Sequence, residues 1–154
     1  MSGINRVVAA TGLCALAIAG CGGSSSSSST TSFKQDYQPV VNGFKQTSGG
    51  IGTAIQAAVH QSDAQVGTAF QSLAGQWQTQ LAKLKTLKPP SSVSSTFATL
   101  SSAATRVEAD LNAVVTSAQA HSKTAAEQAG SALVKDILAA KAAATTIDQK
   151  LGIK

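Results

Sequence analysis

Two imidazoles and seven carboxylates are the groups with which this chain could do chemistry. His60 and His121 stand 61 residues apart, and Asp63 lies three residues after the first. If the two histidines meet at one end of the fold, they and Asp63 make a mixed nitrogen and oxygen set. Such a set could hold a transition metal or place an axial ligand on haem. The features of a dedicated site are missing: there is no His pair at i, i+4, no Glu-x-x-His and no Cys nearby. The simpler expectation is that each imidazole closes a helix and complements the negative end of its macrodipole. No metal and no cofactor is therefore expected, with His60 and His121 as the candidates should one bind.

The carboxylates are Asp36, Asp63, Glu108, Asp110, Glu127, Asp136 and Asp148. No two are expected to face each other on a packed seam. Glu108 and Asp110 are two apart and point to different faces of a helix. A paired-carboxylate hydrolase is thus not indicated. The 20 serines include no Gly-x-Ser-x-Gly elbow. The stretch Ser48-Gly49-Gly50-Ile51-Gly52 lacks the lysine and the preceding strand of a phosphate loop. No catalytic residue emerges, and the chain reads as a non-enzyme.

The third reactive group is the thiol, present at Cys14 and Cys21. Arg6 closes a short polar start, and Val7 to Ala19 is apolar. That run suits a signal peptide and is too short to span a bilayer as a helix. It ends in Ile18-Ala19-Gly20-Cys21. An aliphatic residue, two small residues and a Cys at this place resemble the lipobox of bacterial lipoproteins. The resemblance implies cleavage between Gly20 and Cys21, a diacylglyceryl thioether on Cys21 and acylation, as by palmitate, of the new terminus. Acyl chains contribute about 0.8 kcal/mol per buried methylene, so two or three hold firmly. Gly22 to Ser32 is Gly, Ser and Thr alone. With no side chain able to pack, residues 21–32 read as a lipidated Cys and a flexible, disordered tether reaching about 15–20 Å. Cys14 falls in the discarded leader, leaving no disulfide.

These groups have to be positioned by whatever follows residue 32. The chain has 154 residues, room for one domain, with only 12% charged and 4% aromatic residues. Ala, Ser, Thr and Gln fill the difference, which speaks against a sheet. From Phe33 apolar residues recur in alternating steps of three and four, the seam of a helix packed nearly parallel to its neighbours. The first seam runs Phe33, Tyr37, Val40, Phe44, Thr47, Ile51, Ala54/Ile55, Ala58. The second runs Val66, Phe70, Leu73, Trp77, Leu81, Leu84, Leu87. The third runs Val93, Phe97, Leu100, Ala104, Val107, Leu111, Val114, Ala118. The fourth runs Ala126, Gly130, Leu133, Ile137, Ala140, Ala144, Ile147, Leu151. A shift of 60 residues carries the first seam onto the third and the second onto the fourth, as in two hairpins with one rhythm.

Punctuation divides the segments. Ser62 and Gln65 are spaced as a capping box, Pro89-Pro90 forbids continuation, and Ala120-His121-Ser122-Lys123 is polar. Short connections make neighbours antiparallel. The reading is an all-α, up-down-up-down four-helix bundle over 33–154, with helices about 33–60, 63–88, 92–120 and 123–151. A signal peptide (1–20) and the tether (21–32) precede it. Pro39 is expected to kink the first helix or to start its regular part, and the glycines at 49 and 50 to loosen it. The Ala- and Gly-rich fourth seam should let that helix lie close to its neighbours.

The formal charge is +5 overall and +4 once residues 1–20 are removed. Lys83, Lys85 and Lys88 cluster where the second helix ends. They complement its dipole, and they could also draw in anionic lipid or wall polymer. Phe44, Phe70, Trp77 and Phe97 follow the seams and read as core, so nucleic-acid binding is not expected. The composition also resembles small lipoproteins of high-GC Gram-positive bacteria. The expectation is a non-enzymatic lipoprotein on the extracytoplasmic face of the cell membrane. It would act as an interaction or envelope-accessory module, with an envelope protein or wall polymer as partner. The alternative is a helical bundle that holds a metal, haem or a small apolar molecule.

Overall fold

The computed structural model describes residues 25–154. Over these the chain is four α-helices: α1 (Ser25–Ala58), α2 (Asp63–Thr86), α3 (Ser94–Gln119) and α4 (Lys123–Leu151). They pack side by side as a four-helix bundle, with no strand among the described residues. Three polar contacts fix the antiparallel order. The Trp77 indole in the second half of α2 donates to the Ala104 carbonyl early in α3 at 2.8 Å. The Tyr37 hydroxyl of α1 reaches the Ala144 carbonyl late in α4 at 3.5 Å. Lys150, at the end of α4, reaches the Thr96 hydroxyl at the start of α3.

Most seam positions bury as their spacing requires, while Leu73, Leu87 and Ile137 are only half-buried. Tyr37, Ile51, Leu84, Val93, Val107, Leu111, Leu133 and Ile147 have no exposed surface, and Trp77 has 1%. The buried stripe is wider than one residue per step. Val41, Ala74, Ala103, Ala129 and Ala143 join it, because a helix with neighbours on two sides buries an arc of more than 100°. Toward the α1–α2 and α3–α4 turns the seam loosens: Ala54, Ile55, Ala58, Val66, Ala126 and Gly130 are only half-buried.

The start of α1 departs from the sequence reading. Residues 25–32, whose composition predicts a disordered tether, belong to the helix. Once Phe33 and Tyr37 anchor the helix, each further serine costs only its modest propensity deficit, about 0.5 kcal/mol, and no new nucleation. Nor does the regular helix begin at Pro39. α1 continues through it, forfeiting the one backbone bond proline cannot donate. The first four residues of the expected tether, Cys21 to Ser24, and the signal peptide lie outside the described residues.

Helix ends follow two designs. α2 opens on the expected capping box: the Gln65 amide donates to the Ser62 hydroxyl, and the Ser62 amide donates to the Gln65 side-chain oxygen at 2.9 Å. α3 and α4 both close with a Schellman motif. In α4 the Ile153 amide bonds back to Asp148 and the Gly152 amide to Gln149, with Gly152 left-handed at φ 64°. In α3 the Ser122 amide bonds to Ser117 and the His121 amide to Ala118, and here a histidine holds the left-handed position at φ 52°.

The four interfaces are unequal. α3 and α4 make the most extensive contact, in keeping with the small residues of the fourth seam. α1 and α4 make the least contact, so the fourth helix lies close to α3 and, against expectation, not to its other neighbour α1. On its α2 side α1 is tight: a Cβ at Gly43 would sit 2.4 Å from the Gln80 side chain, and one at Gly50 would sit 3.0 Å from Leu73. At Gly49 a Cβ would meet nothing within 4 Å.

Candidate functional site

The antiparallel order brings the α1–α2 and α3–α4 turns to one end, where His121 and Asp63 meet. Their Nδ1 and Oδ2 atoms are 2.6 Å apart, and both side chains are mostly exposed. The contact arises because His121 is the left-handed residue ending α3, which throws its side chain across to the first turn of α2. His60 is exposed and takes no part in this pair. Two of the three expected groups thus converge. Among the described residues no three His, Cys, Asp or Glu side chains lie together as a metal would require.

The carboxylates hold one surprise. Contrary to expectation, two acids do face each other beside a seam: Asp110 of α3 and Asp136 of α4. Arg106 binds the Asp136 carboxylate at 3.0 Å and also donates to the Ser102 hydroxyl. Asp110 Oδ2 is buried without a donor. Burial pushes the Asp110 carboxyl above its usual range, the Asp136 charge and hydrogen bond add to this, and Arg106 opposes it. Two ionised carboxylates have no hydrogen to share, so the pair is unfavourable while both are charged. The link between α3 and α4 here is the Arg106–Asp136 ion pair, beside which Asp110 sits.

Two further features bear on function. One is the end of the bundle where α1 and α3 begin and α2 and α4 finish. Lys34, Lys83, Lys85, Lys88, Lys150 and Lys154 gather there against only Asp36 and Asp148. Asp148 is itself engaged by Lys45 at 3.7 Å. Over the rest of the described chain five cations and five acids balance, so the surplus charge sits at this one end. The other feature is a groove of about 480 Å³ between α1 and α4, floored by Trp77. The aromatics read as core are core: Phe44 and Trp77 rings lie 4.5 Å apart between centroids, and Phe33 meets Phe97 edge-on.

Comparison with protein-family models, curated proteins and solved structures finds no match. Gly20, Cys21 and Cys14 lie outside the described residues. Among those described, no helix is long and apolar enough to cross a membrane.

Proposed function

We propose that the protein is a lipid-anchored, non-enzymatic module of the extracytoplasmic membrane face, tethered through acyl chains on Cys21. The observation that carries this reading is the polarity of the bundle. The six lysines of its basic end stand at the end where α1 begins, and α1 begins four residues after Cys21. An anionic lipid surface attracts such a cluster by about 1 kcal/mol per lysine close to it, within a Debye length. Charge and anchor thus act on the same face, and two weak signals together hold a protein at a membrane better than either alone. The opposite end, with His60, the His121–Asp63 pair, Lys123 and Glu127, is left facing outward for a protein or wall-polymer partner.

The test is metabolic labelling of the full chain with a fatty-acid analogue, followed by membrane fractionation. The native chain should be labelled and sediment with membranes, and Cys21→Ala should be unlabelled. Replacing Lys83, Lys85 and Lys88 together by Gln should leave labelling intact. The same replacement should make the membrane fraction easier to extract with salt. Equal labelling of Cys21→Ala would overturn the anchor.

A further inference from the structure

α1 and α4 leave the bundle open along one side. The groove between them passes inward to Trp77, Leu100 and Ala104, so its floor is contributed by α2 and α3. The opening has a sequence cause. Gly49 presents no side chain toward α4, and Ala140 and Ala144 present only methyls toward α1. Small residues usually bring helices together. Here Gln80 and Leu73 hold α1 on its α2 side, and the space opposite Gly49 stays unfilled.

We propose that this groove binds a single-chain amphiphile with an anionic head, of the class of long-chain fatty acids. Its volume of about 480 Å³ falls within the range of small-molecule sites, about 300–1,000 Å³. The floor is apolar and aromatic. The mouth carries one cation from each helix, Lys45 and Lys141, and no carboxylate lines it. Lys45 is 62% exposed, with Asp148 at the loose distance of 3.7 Å, so its ammonium is available to a better partner. Leu138 of α4, which lines the groove, is 60% exposed, one of the three large apolar side chains exposed among the described residues. An inorganic anion would leave the aromatic floor unused, and a neutral hydrocarbon would leave both lysines unused. An acyl chain with a carboxylate head uses both.

The occupant is a separate molecule rather than the acyl group of Cys21. Lys45 stands about 30 Å along α1 from Ser25 at the helical rise. A single acyl chain covers about half of a ~30 Å hydrocarbon core. Binding in the groove therefore needs no lipid on Cys21, and the two proposals fail separately.

The full chain, made by cell-free synthesis without acyl donors, is titrated with 9,10-dibromostearate while the emission of Trp77, the one tryptophan, is followed. Bromine quenches only at close range. Saturable quenching is expected, abolished in Gly49→Phe, whose new ring enters the open space, with helicity and melting retained as the check on folding. Lys45→Gln combined with Lys141→Gln should weaken binding of the acid at least tenfold. Binding of the matching brominated alcohol should not change. Absence of quenching, quenching that survives Gly49→Phe in the folded protein, or equal loss for acid and alcohol would each overturn the proposal.

Discussion

Burial sets Asp110 apart from the other carboxylates. Its charged form is disfavoured by desolvation and by the facing Asp136, so its folded pKa lies above the unfolded value of about 3.9. The folded state then binds the proton more tightly than the unfolded state. Above the folded pKa, Asp110 subtracts from stability, and the deficit shrinks as pH falls toward the unfolded value. Asp110→Asn should therefore raise the melting temperature at pH 7, since an amide supplies the hydrogen that Oδ2 lacks. The gain over the native chain should fade as the pH approaches 4, and thermal melts at a series of pH values measure it. A gain that persists unchanged to low pH would remove the proton from the account. This pair was not legible in the sequence. Spacing told which face of its own helix each acid occupies. Whether Asp110 and Asp136 meet depends on how α4 is rotated against α3, and two separate periodicities do not fix that phase. The histidines were half legible: short turns place His60, Asp63 and His121 at one end, but the left-handed twist at residue 121 selects which imidazole reaches the acid.

Helix endings carry the next level of cost. His121 and Gly152 perform the same task, yet only glycine does so without a Cβ against the carbonyl, a penalty of about 1–2 kcal/mol for other residues. The exposed pair with Asp63 returns about 0–1 kcal/mol. His121→Gly should therefore be neutral or stabilising by about 1 kcal/mol, read from urea midpoints at constant slope. A clear loss would mean that the pair outweighs the strain. The capping box of α2 and the proline stop after it were legible because each is a local bond or a missing donor. The beginning of α1 was not. Ser25–Ser32 has the composition of a linker, and composition reports what a segment does alone. Attached to an anchored helix it needs only to continue, and the helix of Phe33 and Tyr37 extends back through it. The seam positions were legible and the stripe width was not, because Val41, Ala74 and Ala143 become core only when a second neighbour is present.

For the molecule as a whole, Trp77 ties the helices together. It is buried against Phe44, bonded to the Ala104 carbonyl, and placed at the base of the α1–α4 opening. Trp77→Ala removes that packing and strands a carbonyl, so a loss of about 3–5 kcal/mol is expected in chemical denaturation. A loss below about 1 kcal/mol is the signature of a surface residue and would break the register of α2. The up-down order was legible from three short connections. The opening was not, since it is a difference between two interfaces, and Gly49 and Gly50 look alike until one is seen to face Leu73 and the other empty space. The helical Ser25–Ser32 has a mechanical consequence. As coil, those eight residues would be a leash, fixing a radius and leaving the bundle free to swing through a hemisphere. As helix they are about 12 Å of one rod with α1, its second half lying beside Lys83 and Lys88 at the end of α2. A grip on the chain before Ser25 then steers the long axis of the bundle, and a tug at the far end is felt there as torque.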